Sequence, residues 1–162
     1  MNTARILQQE KEAPYPQTLL RPCRAITGIS AILLPYNNNN SVDWASFERT
    51  LEHTVSAGLI PAVNMDTGYA SLIDEATRLE VLQRTSAVTS GLEFVAGVFV
   101  GDSPGQKFDA DAYRHGITET EAASGTPILF QSFGLSELQE DEVAPAYESV
   151  TLSCDQFLFF EL

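Results

Sequence analysis

The chain has 162 residues, of which 44% are hydrophobic and 19% charged, and its formal net charge is −13. This length is typical of one domain, and the composition is too apolar for a disordered protein. The negative charge disfavours nucleic acids and anionic membranes as partners, because both are bound by positively charged surfaces.

The first 24 residues are interpreted as an N-terminal extension. The segment from Met1 to Gln17 is polar and has no apolar stretch of the kind found in a secretory signal. No apolar run in the sequence approaches the roughly 18 residues that cross a bilayer. Cys23 and Cys154 show no metal-binding or redox spacing, which indicates two free thiols in a reducing compartment. We therefore expect a cytoplasmic protein.

Five short apolar runs divide the rest of the chain. None of them alternates cleanly with polar residues, which is typical of strands that are buried on both faces of a parallel sheet. Their first residues are separated by 33, 33, 35 and 29 positions. The runs are Ile26–Leu34, Leu59–Asn64, Leu92–Val100, Pro127–Gln131 and Gln156–Leu162.

Helices are predicted between these runs. Asp43, Asp74 and Asp109 can each cap the first turn of a helix, and a fourth helix is predicted to begin at Asp141. Pro145 is then expected in the first turn of that helix, where its missing N–H has no helical partner. Glycines at positions 58, 91 and 125 are predicted to end the first three helices.

The predicted inward faces follow helical spacing. They comprise Trp44, Phe47, Leu51 and Val55 in the first helix, Leu79, Leu82 and Val88 in the second, Tyr113 and Ile117 in the third, and Val143, Tyr147, Val150 and Cys154 in the fourth.

Strands that alternate with helices at a period near 33 residues predict an α/β fold with a parallel sheet and right-handed crossovers. Both an open doubly wound sheet and a (β/α)8 barrel fit this pattern. The first strand runs into Pro35, Tyr36 and four asparagines, with no glycine-rich phosphate loop, which disfavours nucleotide binding.

Polar residues follow the strands where each apolar run stops. Asp66, Thr67 and Gly68 follow the second run, Gln131 ends the fourth, and Glu161 lies near the end of the fifth. Binding sites of both architectures lie at the carboxyl ends of the strands, so we predict a shared pocket for a small-molecule substrate there. His53 and His115 are predicted on helix surfaces, and without paired His or clustered Cys no metal site and no cofactor is assigned.

Three stretches carry a family resemblance. Gly28–Tyr36, the helix end His53–Gly58 and the run Phe94–Val98 resemble the dihydrodipicolinate synthase and N-acetylneuraminate lyase family of pyruvate-type class I aldolases. Asp66–Tyr69 falls where that family carries Gly-Thr-Thr-Gly-Glu, which holds the substrate carboxylate. The resemblance implies a (β/α) TIM barrel, here a partial barrel of about five strands and four helices over residues 25–162, and a homo-oligomer.

The resemblance also implies a function. It predicts a lyase for a small oxo-acid or related carbonyl compound, in which Thr67 and Gly68 bind a carboxylate or oxyanion while Asp66, Gln131 and Glu161 orient the substrate. Asp66 and Tyr69 depart from the family motif. The family's Schiff-base lysine lies on the sixth strand, whereas Lys11 and Lys107 lie in the tail and in a loop. We therefore expect this chain, which stops after the fifth strand, to be inactive alone.

Two alternatives remain open. Asp66, Asp102 and Glu161 could hold a divalent metal that acts as a Lewis acid. The chain could instead be a non-catalytic module, since a whole barrel needs roughly 250 residues.

Overall fold

The computed structural model describes residues 22–152 and 154–160. Most of the predicted N-terminal extension, including Lys11, lies outside the described residues, and so does Glu161. The strands are β1 (Ile29–Ala31), β2 (Ile60–Val63), β3 (Val95–Val98), β4 (Thr126–Phe130) and β5 (Leu158–Phe160). The helices are α1 (Trp44–Ser56), α2 (Glu75–Thr89), α3 (Ala110–Ala122), α4 (Phe133–Ser136) and α5 (Glu140–Thr151).

The five strands form one parallel sheet in the order β1-β2-β3-β4-β5. A doubly wound sheet reverses its strand order at a switch point, whereas a barrel adds each strand beside the previous one. The sheet is therefore part of a (β/α) barrel. This confirms the predicted fold class and decides between the two architectures that the sequence left open.

Successive strand residues point to opposite faces of the sheet. Ala62, Val95 and Ile128 form a small buried cluster on one face. Their successors along each strand, Val63, Ala96 and Leu129, pack against the helices. This alternation follows from the pleat and explains why both faces of these strands are apolar in sequence.

Two separate cores lie on the helical face. The first joins β1–β3 to α1 and α2, and the second joins β3 and β4 to α3 and α5. Their buried members are Ile32, Leu34, Phe47, Leu51, Val63, Val81, Leu82, Phe94 and Ala96 in the first, and Val98, Val100, Tyr113, Ile117, Leu129, Leu135, Ala146 and Val150 in the second.

Three of the predicted helix starts are confirmed by hydrogen bonds. Asp43, Asp74 and Asp109 each accept the backbone N–H three residues ahead, at 3.0, 2.8 and 3.0 Å. Each bond satisfies a donor that the helix itself leaves without a partner. For Asp43 and Asp74, hydrogen bonds from Ser46 and Thr77 also lower the carboxyl pKa below its usual value.

The predicted start of the last long helix is wrong. The α5 helix begins at Glu140, with a capping box between Gln139 and Glu142. Pro145 is the sixth residue of this helix and lies in its second turn, so its predicted place in the first turn is wrong, and the helix loses a backbone hydrogen bond there. Cys154 lies beyond the helix, although it packs against the second core.

Two further differences concern helix faces and number. Leu79 is 37% exposed, while Val81 is 2% exposed and takes the inward position that was predicted for Leu79. The short α4 helix was not predicted, because four residues are too few to show a periodic pattern. Among the described residues, no helix is long and apolar enough to span a membrane.

Candidate functional site

The predicted carboxylate-binding segment forms a tight 3-10 turn, Asp66–Gly68, directly after β2. The Gly68 N–H donates to the Met65 carbonyl at 2.8 Å, so this amide already has an acceptor. A Cβ on Gly68 would lie 3.3 Å from the Ile32 carbonyl oxygen, which leaves little room for a side chain. Asp66 and Thr67 are exposed, and their side chains have no hydrogen-bond partner among the described residues.

An aromatic pair closes one side of this turn. Tyr69 adopts a left-handed backbone conformation, with φ at 61°, and its ring meets Tyr36 edge to face with centroids 5.9 Å apart. Both rings are 43% exposed. The pair links the segment after β1 to the turn after β2, and Tyr69 lies two residues after the exposed Thr67.

The carboxyl end of β4 is held by a buried tyrosine. The Tyr113 hydroxyl donates to the Phe130 carbonyl at 2.6 Å and accepts the Ser132 N–H at 2.9 Å. Burial of the phenol raises the pKa of Tyr113 above its usual value. Gln131, between the two bridged residues, is half-buried at the end of the strand.

Asp102 has a structural role in the same region. Its two carboxylate oxygens accept the amides of Phe133 and Gly134, at 2.8 and 2.7 Å, and so tie the loop after β3 to the start of α4. The metal hypothesis built on Asp66, Asp102 and Glu161 gains no support here, because both oxygens of Asp102 are engaged and Glu161 is outside the described residues.

The described members of the predicted site lie at one end of the sheet, beside two strands that are not neighbours. The Asp66–Gly68 turn follows β2 and Gln131 follows β4, and β3 lies between them. Two strand spacings of about 4.8 Å separate them by roughly 10 Å, a distance that a small substrate with two polar ends can span. Their assignment to a substrate site stays a prediction.

A second concave feature lies nearby, between α2 and α3 at the carboxyl end of β3. This α2–α3 cleft has a volume of about 430 Å³. Arg78 and Glu75 of α2 face His115 and Glu119 of α3 across it, and Asn64 contributes to its wall. Sequence patterns did not indicate this cleft.

Asn64 is the most constrained residue of the cleft. It is 4% exposed, its φ is 51°, and its Nδ2 donates to the Arg78 carbonyl at 3.1 Å. Its Oδ1 has no hydrogen-bond partner within the described parts of the chain. Gly97 allows the Asn64 backbone to approach β3, since a Cβ at that position would overlap with the Asn64 carbonyl.

The two cationic side chains of the cleft, Arg78 and Lys107, differ in how firmly the surrounding residues hold them. Arg78 uses Nη1 to donate to the carbonyls of Ala70 and Ile73, at 3.1 and 2.6 Å, and its guanidinium lies 5.9 Å from the centre of the Phe99 ring. Lys107 is exposed in the loop after β3. Lys107 is therefore not enclosed by strands, as a Schiff-base lysine with a lowered pKa would need to be.

Three potential metal ligands meet at this cleft. Glu75, His115 and Glu119 offer ligand atoms that all lie within 4.8 Å of one another. The sequence placed His115 on a helix surface, which is confirmed, but its partners were missed. The i, i+4 spacing of His115 and Glu119 could have indicated two of the three residues, whereas Glu75 lies 40 residues before His115.

No family model matches the chain, and no curated protein shows a significant match to it. Solved structures do match. Dihydrodipicolinate synthase from Thermotoga maritima aligns with a TM-score of 0.69 at 14% identity, over 84% of this chain and 45% of that one. The 4-hydroxy-tetrahydrodipicolinate synthase of Methylacidiphilum fumariolicum SolV aligns with a TM-score of 0.69 at 17% identity, over 85% and 45% of the two chains.

The dihydrodipicolinate synthase of Rhodopseudomonas palustris aligns with a TM-score of 0.64 at 18% identity, over 79% of this chain and 40% of that enzyme. The chain has the fold of part of a dihydrodipicolinate synthase. This confirms the resemblance at the level of the fold. The chain spans less than half the length of these enzymes.

Proposed function

We propose that the chain forms the carboxylate-binding part of an aldolase-type lyase barrel that acts on a small oxo-acid or a related carbonyl compound. The observation that carries the proposal is the Asp66–Gly68 turn, which follows β2 at the carboxyl ends of the strands of a dihydrodipicolinate synthase-like fold. Barrel enzymes build their sites at these strand ends.

Thr67 is the central binding residue of the proposal. Thr67 is exposed two residues before Tyr69 of the aromatic pair, and its hydroxyl can donate to a carboxylate oxygen. The Gly68 amide is engaged within the turn, so Gly68 contributes by allowing the close approach to the carbonyl of Ile32, just after β1, rather than by donating. Gln131 lies far enough away to reach the other polar end of a short substrate.

Asp66 opposes carboxylate binding in this arrangement. It is exposed beside Thr67, and two like charges repel each other by about 1 kcal/mol at about 4 Å in water. In the proposed site Asp66 therefore selects against a second carboxylate on that side and for a hydroxyl group, which can donate to it.

The test is titration of the chain with pyruvate, followed by NMR. Thr67→Val should weaken binding roughly fivefold through loss of one hydrogen bond to a charged group, whereas Asp66→Asn should strengthen it by a similar factor. Thr118→Val, on the exposed face of α3, is the matched control and should change nothing. Equal binding by the wild-type chain and Thr67→Val would refute the proposed role of the turn.

Catalysis is tested separately. Incubation with pyruvate and borohydride should leave no adduct on Lys107, because this lysine is exposed in a loop. A covalent adduct on Lys107, found by mass spectrometry, would contradict the expectation that the chain alone is inactive.

A further inference from the structure

We propose that the α2–α3 cleft binds a divalent transition-metal ion between Glu75, His115 and Glu119. One imidazole nitrogen and two carboxylate oxygens form a donor set that suits Zn²⁺ or Co²⁺. This inference does not depend on the proposed lyase function, since none of the three residues belongs to the Asp66–Gly68 turn.

The spacing of the donor atoms supports an ion. His115 Nε2 lies 3.4 Å from Glu75 Oε1 and 3.5 Å from Glu119 Oε1. Both distances are longer than a good N–H···O hydrogen bond of about 2.7–3.2 Å. They are close to the roughly 3.3 Å that separates two ligand atoms of a tetrahedral ion with bonds of about 2.05 Å.

The two helices hold the ligands in place. His115 and Glu119 lie one turn apart on α3, and Glu75 is the first residue of α2. The side chain of Glu119 is 27% exposed, while those of Glu75 and His115 are 69% and 63% exposed. An ion would therefore enter from solvent and would require only side-chain rotations in the two exposed ligands.

An independent observation comes from the wall of the same cleft. The Oδ1 atom of Asn64 has no donor among the described residues, although the residue is 4% exposed. A buried acceptor of this kind indicates a water or an ion with bound water. The coordination waters of a metal in the cleft would supply such donors.

The charge of the cleft also favours a cation. Four carboxylates line it, those of Glu75, Asp102, Asp109 and Glu119, against the two cationic side chains Arg78 and Lys107. The Nη1 group of Arg78 donates to the carbonyls of Ala70 and Ile73, so it does not neutralise the carboxylates of the proposed ligands.

The experiment is calorimetric titration of the full chain with Zn²⁺, repeated with Co²⁺ and followed by visible absorption. We expect one site for each ion. His115→Ala and Glu119→Gln should each weaken binding by at least about tenfold, the loss typical of disrupted metal sites. His53→Ala is the matched control, because His53 is the other histidine and lies exposed on α1.

Two results would overturn the proposal. One is the absence of binding of either ion at millimolar concentration. The other is that His115→Ala binds the ion as tightly as the wild-type chain does. Metal binding that is lost only when the thiols of Cys23 and Cys154 are alkylated would likewise place the ion on the cysteines and overturn the proposal. Circular dichroism of each variant verifies folding, which substitution of the exposed His115 and of the partly exposed Glu119 should leave intact. Pyruvate binding by His115→Ala should match that of the wild-type chain, which separates this test from that of the proposed function.

Discussion

The α1–α2 interface and the α2–α3 cleft join equivalent elements of successive βα units, yet one is closed and the other open. Phe47 and Leu51 of α1 meet Val81 and Leu82 of α2 in a shared buried core. Between α2 and α3 there is instead a cleft, bridged at its mouth by a polar contact from His115 to Glu75.

The difference follows from where α3 directs its large side chains. Tyr113 and Ile117 point into the second core, which α3 shares with α5. The residues that α3 contributes to the wall of the cleft include Ala112 and Gly116, and Gly116 lies so close to Val98 of β3 that a Cβ there would overlap with it. The same repeated topology therefore produces a packed interface or a cleft, depending on which face of the helix carries the large side chains.

The largest expected effect comes from a substitution that disrupts the closed α1–α2 interface. Leu51 is fully buried at 0% exposure, so Leu51→Ala should lower the free energy of unfolding by about 3 kcal/mol, through lost burial and the cavity left behind. Urea denaturation measures this change. Leu72→Ala, at 80% exposure, is the control and should change stability by less than about 0.5 kcal/mol. Equal effects of the two variants would contradict the assigned core.

A smaller effect concerns the second core at alkaline pH. Burial, followed by the neighbouring Glu121 carboxylate, raises the pKa of Cys154 from 9.0 to about 11. The folded chain then holds the thiol proton more tightly than the unfolded chain does. The contribution of the Cys154 thiol to the free energy of unfolding is fully present below pH 9 and is lost as the pH rises toward 11.

Thermal unfolding of the wild-type chain and Cys154→Ser across this pH range tests the effect. The wild-type chain should lose more stability on alkalinisation than the variant, while Cys23→Ser, at an exposed position, should behave like the wild-type chain. Parallel curves for the wild-type chain and Cys154→Ser would contradict the prediction.

The smallest expected effects come from substitutions of polar residues at the α1–α2 interface and at the α2–α3 cleft. Arg84 pairs with Glu48 and Glu80 and lies 4.6 Å from the centre of the Trp44 ring, but a third of its side chain is exposed. Arg84→Met should therefore cost about 0.5–1 kcal/mol. His115→Ala, measured with chelator present, should cost less than about 0.3 kcal/mol. The reverse order in urea denaturation would show that the cleft boundary contributes more to stability than the closed interface.

Much of the fold was predictable because its signals are local. Asp43, Asp74 and Asp109 cap the helices they were predicted to cap, and the five apolar runs contain four of the strands and all of β4 except its first residue, Thr126. Errors arose where two local patterns compete. The sequence allows either Leu79 or Val81 to face inward, and packing against β2 and β3 selects Val81. Pro145 was expected in a first turn, but α5 begins at Glu140 and holds Pro145 in its second turn.

The candidate sites were predictable only in part. The Asp66–Gly68 turn was located as a polar segment after a strand, since the end of an apolar run is visible in sequence. The engagement of the Gly68 amide, the amide partners of Asp102 and the buried Tyr113 bridge were not, because each depends on residues that lie distant in the chain or on local backbone geometry.

The sequence by itself determined the order of the five strands and the four long helices, three helix starts and the family resemblance, since these depend on hydrophobic period, capping chemistry and short motifs. Tertiary structure alone decided the consecutive strand order that makes the sheet part of a barrel. It also decided that Glu75 meets His115 and Glu119 beside the orphaned Asn64 oxygen. The physical reason is the same in both cases: chain segments are brought together by the packing of cores, and the side chains left between two cores carry no periodic mark in the sequence.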